Sequence, residues 1–203
     1  MPRRGEKREI ILDAAEEIFG EKGFHLTTVD EIASKANVAK GTIYLYFRDK
    51  FDLFISTVER RLNGFVSKLE EAVEGTDDPM EAITRMIEIH FEFAKSNEQL
   101  FRHMTPEKYK PLPDRFRQIH VPTLRERIFK PINRVISVIE RCIREGQEKG
   151  VFKAEIDPRI SALSLSSMIR GVVFARMIDP ELAFPNDESL ETIKTISLNG
   201  IRR

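Results

Sequence analysis

Only one cysteine, Cys142, stands in the 203 residues. No disulfide can close within the chain, and a cluster of zinc-bound thiolates is excluded. No uninterrupted apolar run nears the roughly 20 residues that a membrane span needs. The basic start, MPRRGEKRE, runs straight into a charged amphipathic pattern, which is not how a signal peptide reads. These absences predict a soluble cytoplasmic protein with no membrane partner. An excess of either charge is missing too: 33 basic and 33 acidic residues cancel, so only a local basic surface could speak for nucleic acid. A glycine-rich phosphate loop, a nucleophile elbow and a paired-carboxylate or His–Glu metal pattern are all lacking. His90, His103 and His120 share no helical ligand spacing. No cofactor, metal or enzymatic activity is therefore expected. Runs with period-two alternation between turn signals are absent as well, which leaves an all-α chain.

What is present is a sequence of amphipathic helices. Residues 7–22 carry a stripe of Ile11, Ala14, Ala15, Ile18 and Phe19, bracketed by Gly20 and Gly23, of which Gly23 is the better left-handed cap. Phe24 and Leu26 read as apolar plugs beneath the next pair of helices. Arg3, Arg4, Lys7 and Arg8 form a basic arm that is either a solvated terminus or a phosphate-contacting one. In the stretch Thr27–Lys50, Thr28 is an N-cap, and Val29, Ile32 and Ala33 have the spacing of a short helix. Asn37 tolerates the positive φ that ends it. A second run from Gly41 to Phe47 places Ile43 and Phe47 on one face and leaves Lys40, Thr42, Tyr44 and Tyr46 for the others. This is a helix-turn-helix whose second helix offers small, hydroxyl and cationic groups to a partner.

Asp49 caps a long helix running to about Glu74, with Phe51, Phe54, Val58, Leu62, Phe65, Val66 and Leu69 on its buried face. The break GTDDP precedes a helix over about 79–95. Pro106, Pro111 and Pro113 keep 97–118 in shorter pieces. A long pattern from Pro122 to about Lys149 should kink at Pro131 and fray at Gly146 and Gly150. Asp157-Pro158 opens a helix to about 178, and a last helix starts near Asp187. The organisation predicted is a helix-turn-helix domain over 1–52, linked by the long helix 49–74 to a helical bundle over 53–203.

At F-x-x-K-G-F-x-x-T-T-V-D-E-I-A-x-x-A-x-V-A-K-G-T-I-Y-L-Y-F-x-D-K-x-D-L, from Phe19 to Leu53, the chain resembles the tetracycline-repressor (TetR) family of transcriptional regulators. Beyond residue 75 the resemblance is of architecture, with GQ-x-x-G-V-F at Gly146 to Phe152 and the Asp157-Pro158 opening. Ala39 stands where many members carry serine, and Asn37 replaces the common turn glycine. The resemblance implies a homodimer on a pseudo-palindromic double-stranded operator, one helix-turn-helix per half-site. Read physically, Thr28 offers a hydroxyl and a backbone N–H to phosphate. Lys40 reaches guanine edges or phosphate, and Gly41 permits close backbone approach. Thr42 meets a thymine methyl, Tyr44 and Tyr46 meet phosphate and sugar, and Lys50 clamps a phosphate. Ala39 lies within the same contact stretch.

The resemblance also implies a small-molecule pocket in the second half and a repressor released from DNA by its effector. Candidate lining residues are Phe91, Phe93, Phe101, Met104, Tyr109, Phe116, Ile139 and Cys142, against the alternative that they are simply core. Residues 102–130 hold eight basic groups against three acidic. That is either a solvated face or a preference for an anionic amphiphile such as an acyl-coenzyme A. A dimer interface is expected on the last two helices, at Ala162, Ser166, Ile169, Gly171, Val173, Leu190 and Ile193, where small side chains let helices approach, against the alternative of ordinary packing within the monomer. The rival classes, a helical enzyme or an adaptor, leave the Lys-Gly-Thr helix start unexplained.

Overall fold

A computed structural model of the chain describes residues 4–97, 125–178 and 186–202. Its elements are α1 (Arg4–Leu26), α2 (Val29–Lys35), α3 (Lys40–Tyr44), α4 (Lys50–Glu74), α5 (Pro79–Ser96), a π-helical turn (Arg125–Phe129), α6 (Lys130–Glu148), α7 (Pro158–Ile178) and α8 (Asp187–Ile201). Among the described residues the isolated bridge between Phe152 and Arg202 is the sole extended pairing, and none of the helices is long and apolar enough to cross a membrane. The chain is all-α, as its sequence patterning predicts. It divides into two compact units, the first holding α1–α3, α4 as far as Leu62 and the π-helical turn. The second holds α4 from Asn63 onward, α5 and α6–α8.

In the first unit the α1 stripe is buried as expected, with Ile11, Leu12, Ala15 and Phe19 packed against Ile32, Ile43, Phe47 and Leu53. The helical path breaks at Gly23, whose φ of 73° and ψ of 168° combine a positive φ with an extended ψ. Glycine alone adopts that conformation without strain. The Thr27 hydroxyl donates to the freed Gly23 carbonyl at 2.8 Å. Phe24 then turns into an aromatic cluster, 5.2 Å from Phe54 and 6.1 Å from Phe51 between ring centres. Leu26, expected to plug the same space, is 75% exposed. Two residues apart on a helical path, Phe24 and Leu26 point to nearly opposite sides, so only one can face inward.

Ion pairs bind the flanks of this unit. Arg60 of α4 reaches Glu9 (2.9 Å), Asp13 (2.8 Å) and Glu16 (2.9 Å) along one face of α1. Arg127, in the π-helical turn, donates to Glu59, Asp52 and Ser56 of α4, each at 2.6 Å. The wide turn before α6 has a local cause. Pro131 carries no N–H to return to the carbonyl four residues back, that of Arg127, and its ring crowds that turn.

In the second unit, Asp78 accepts from the Met80 N–H at 2.9 Å and Pro79 takes the first turn of α5, as the GTDDP break predicts. The core gathers Phe65, Val66 and Leu69 of α4, Ile83, Met86 and Ile87 of α5, Val135, Ile136, Ile139 and Ile143 of α6, and Leu165 and Ile169 of α7. The α6 terminus is not frayed. Gly150 has a φ of 70°, its N–H bonds the Gln147 carbonyl at 3.0 Å, and the Val151 N–H bonds Gly146 at 2.8 Å. That is a complete Schellman cap. Gln147 pins the following loop, donating to Lys153 and Ile156 carbonyls at 2.8 Å each. Gly146 is buried inside α6, where the Phe152 ring lies over it. The GQ-x-x-G-V-F motif is thus a helix stop with an aromatic lock.

Several sensor and interface expectations change on this framework. Ile139 and Cys142 are fully packed core residues, and burial pushes the Cys142 thiol up to about 12. Phe91 is buried, and it borders a half-open groove of about 280 Å³ together with Leu190 and Asp187. Phe93 is half-buried and stacks on Phe65 at 4.4 Å. Phe101, Met104, Tyr109 and Phe116 lie outside the described residues, as does the side chain of Val173. Ala162, Ser166, Ile169 and Ile193 are buried within the unit's own core, so they are not available to a second chain. The outward face of α7 instead presents Ile160, 62% exposed, with Leu163 and Gly171. The helical pattern predicts a buried stripe correctly but does not say which neighbour buries it.

The lock on α6 yields a direct test. A Cβ at residue 146 would sit 2.2 Å from Phe152 Cδ2, and that ring is fully buried. Gly146→Ala is expected to destabilise the protein by about 1–3 kcal/mol through overpacking, although alanine is the better helix former. Urea unfolding followed by circular dichroism measures it.

Candidate nucleic-acid interface

The feature that projects from the first unit is the pair α2 and α3. Thr28 caps α2 through a full capping box. Its backbone N–H and its hydroxyl each donate to Glu31 Oε2 at 2.9 Å, and the Glu31 N–H returns to the Thr28 hydroxyl at 3.3 Å. Lys22 adds an ion pair to the same carboxylate. With Lys22 first, then the Thr28 backbone and hydroxyl, the Glu31 pKa falls to about 2. At the other end Asn37 stands at a φ of 51°, and among the described residues it is the one non-glycine with a positive value. The Asn37 N–H bonds Ser34 at 3.1 Å and the Val38 N–H bonds Ala33 at 3.0 Å. The turn is a Schellman cap with asparagine in the glycine position, as its short polar side chain permits.

Ala39 follows as the N-cap of α3, with no side-chain hydrogen bond to the helix. The first backbone N–H groups of a helix have no partner inside it, so those of Lys40 and Gly41 depend on solvent or a ligand. Ile43 and Phe47 are fully buried and fasten α3. Lys40, Gly41, Tyr44 and Leu45 are exposed, Leu45 at 73%. Nothing lies within 4 Å of a Cβ built on Gly41. No part of the described fold therefore demands glycine there, and a demand could come only from something outside.

Some of the expected contact residues sit differently. Tyr46 and Thr42 are half-buried rather than outward, and Tyr46 packs against the unit's core. A residue three places beyond Ile43 shares much of its face, which is the reason. Lys50 is drawn inward. Its ammonium donates to the Phe24 and Thr27 carbonyls at 2.8 Å each and lies 4.5 Å from the Phe24 ring centre, while burial lowers its pKa. Two of its three donors serve the end of α1. Lys40 Nζ pairs with Asp30 at 2.7 Å on an open surface, which raises its pKa. Arg8 of the basic arm lies over the Phe47 ring at 5.5 Å. Sequence reasoning missed Leu45, although its place between Ile43 and Phe47 puts it on the opposite side of the turn. The Arg127–α4 bonds had no local signal.

What this arrangement can do is narrow. A short, well-held helix presents an uncapped start, a glycine, a lysine, a tyrosine and a protruding leucine, with a threonine-capped helix beside it. Such a surface fits the major groove. The sequence profile described as "Bacterial regulatory proteins, tetR family" matches residues 11–57. The one described as "YsiA-like protein, C-terminal region" matches residues 58–178. The chain is 29% identical over 161 residues to the fatty acid metabolism regulator protein of Bacillus subtilis, covering 79% of this chain and 78% of that protein. Its fold is similar to that of the fatty acid degradation regulator FadR from Bacillus halodurans, with a TM-score of 0.74, 25% identity, and 96% and 99% of the two chains covered. FadR from Bacillus subtilis, determined in complex with stearoyl-CoA, has the same fold at a TM-score of 0.74 and 24% identity, over 96% and 99% of the chains.

The capping box has a pH signature. Glu31 is ordinarily half-protonated at 4.5 and is held near 2 in the folded chain. Its contribution is complete above 4.5 and is lost as pH falls toward 2, because protonation then costs the Lys22 and Thr28 bonds. Stability measured across that window should fall less steeply in Glu31→Gln than in the parent chain. A carboxyl titration of Glu31 by NMR with a midpoint near 4.5 would contradict the box.

Proposed function

The chain belongs to the TetR family of bacterial transcriptional regulators, and on that premise we propose that it is a dimeric cytoplasmic repressor released from its operator by a long-chain acyl effector. It is a DNA-binding regulator, not an enzyme. The observation that carries the finer reading is α3, where the side chains that face inward are spent on the fold and those that face outward stay in solvent, Lys40 held only by an exposed pair with Asp30. Lys40 exchanges Asp30 for a phosphate or a guanine edge. Gly41 lets the backbone N–H groups at the helix start reach phosphate. Tyr44 meets sugar and phosphate, and Leu45 meets thymine methyls. Thr42 and Thr28 contribute hydroxyls at the edge. Lys50 and Tyr46 position the reading surface, and Lys50 keeps one donor for a phosphate. Ala39 leaves one possible hydroxyl–phosphate bond unmade.

The domain division proposed is a DNA-reading part over 1–52 and an effector and dimerisation part over 53–203, with α4 common to both. The second chain of the operator-bound dimer is taken up by the outward face of α7 and α8, at Ile160, Leu163, Ser164, Ser167, Gly171 and Ile196. These include large apolar side chains that the monomer leaves in water. An exposed apolar patch of this kind is what a partner surface looks like. For the effector, support comes from the likeness to regulators of fatty acid metabolism and from the basic residues of 102–130 other than Arg127, which outnumber the acidic ones there and suit an anionic headgroup.

Two measurements test this. Gly41→Ala should leave thermal stability unchanged or slightly raised, since the added methyl meets nothing, yet weaken operator binding at least tenfold in a gel shift. Tyr44→Ala should do likewise. A stability loss with DNA binding retained would remove α3 from the interface. Separately, palmitoyl-CoA or stearoyl-CoA should release the retarded operator at micromolar concentration, while free coenzyme A and short-chain acyl-CoA should not. Retardation that survives every acyl-CoA would overturn the effector class.

A further inference from the structure

His90 lies in α5 of the second unit, buried, with its ring edge-on to Phe65 at 4.7 Å. Phe93 stacks on the other end of that aromatic pair at 4.4 Å. The ring's Nδ1 stands 2.7 Å from the Met86 carbonyl. A carbonyl only accepts, so Nδ1 carries the proton and donates to it. In a neutral imidazole the second nitrogen then has a bare lone pair. Nε2 is completely buried and finds no hydrogen-bond partner among the described residues.

The neutral form is enforced. Burial, with a smaller contribution from the Arg170 charge, holds the His90 pKa down to about 4 against the pull of the Met86 carbonyl. Near pH 7 the ring is therefore not a donor at Nε2. A buried acceptor left without a partner loses its hydration and gets nothing in return, which destabilises the fold. Folded proteins rarely carry such a group without a water, an ion or a ligand to meet it. A phenylalanine would pack equally well against Phe65 and cost nothing of this kind.

We propose that His90 is the polar anchor of the effector site, its Nε2 accepting a hydrogen bond from a hydroxyl carried by an otherwise apolar ligand that lies against Phe65 and Phe93. The inference rests on the effector reading above and narrows it. The thioester of a plain acyl chain has acceptors only, so it leaves Nε2 unmet wherever it lies. A hydroxyl-bearing chain or ring meets Nε2 and keeps the rest of its surface among aromatic carbons. The anchor selects by donor, and the Nδ1–Met86 bond sets that selection by fixing the tautomer.

The test uses the full-length chain labelled with ¹⁵N at histidine, and a matched pair of probes, 1-dodecanol and its methyl ether. The two share an apolar body and differ in the donor. The alcohol is expected to bind about tenfold more tightly than the ether and to move the His90 Nε2 resonance, which His90→Gln assigns by its disappearance. In His90→Leu the preference should vanish while both probes still bind and the operator is still retarded. Equal binding of the two probes to the parent chain, or an Nε2 resonance unmoved at saturating alcohol, overturns the anchor and leaves a buried water only. The parent-chain comparison decides even if His90→Leu does not fold. Palmitoyl-CoA release of the operator is measured alongside. Release without the alcohol preference removes the anchor and keeps the effector class, whereas preference without release does the reverse.

Discussion

A helix of five residues cannot hold its own shape in water, because the cost of its first turn is never recovered by propagation. α3 is such a helix, and the surface proposed to read DNA exists only because Ile43 and Phe47 are buried on the body of the first unit. Burying each of these side chains is worth roughly 1.5–3 kcal/mol. The ground they bury against is itself composite: Ile11, Ala15 and Phe19 from α1, Ile32 and Ala33 from α2, and Leu53 from α4. Every other feature of that unit keeps this ground in place. Gly23 turns the chain so that Phe24 closes the cluster, and Lys50 ties the end of α1 to the start of α4 through two carbonyls. The residues proposed to read DNA are thus exposed on a helix whose inward face is fully buried.

Chain reversals supply the second level of definition, and two of them use the same device. A left-handed residue closes both the α2–α3 turn and the α6 terminus, asparagine in one case and glycine in the other. The asparagine costs little because its side chain tolerates positive φ, and the glycine at 150 works with Gly146, which opens room for Phe152. Charge is distributed to suit the same end. The acidic face of α1 is engaged by Arg60, and Asp52 and Glu59 are engaged by Arg127. Many of the acidic residues that bring the net charge to zero are therefore paired within the fold. The start of α3 keeps a lysine whose partner, Asp30, is itself mostly solvated, so a stronger anion can take its place.

Much of this is legible from roughly the first 80 residues without coordinates. The caps at Thr28, Asp49 and Asp78, the left-handed Asn37 and the inward pair Ile43 and Phe47 are local signals, each set within four residues along the chain. The misplacements share one cause. Type and period are all that place Leu26, Tyr46 and Lys50, and the interface residues Ala162, Ser166, Ile169 and Ile193, in the sequence. Their surroundings depend on which distant segment arrives beside them. Lys50 reads as a free cation until the carbonyls of Phe24 and Thr27 are brought to it. Ala162 and Ile169 read as an interface stripe until α6 covers them. His90 is the extreme case, since a histidine among apolar residues looks like ordinary core, and only the Met86 carbonyl and an Nε2 lone pair unmet among the described residues make it distinctive.

The sequence by itself determined the all-helical class, the helix-turn-helix and its turn, and the family to which residues 11–57 belong, because capping and amphipathic period are short-range properties that the chain carries wherever it goes. Tertiary structure alone decided which cations face solvent, which small-residue stripe stays outside, and which buried histidine keeps an acceptor unmet among the described residues. Those outcomes depend on burial and hydrogen-bond partners that are far apart in sequence, and no local pattern encodes a neighbour that packing has yet to supply.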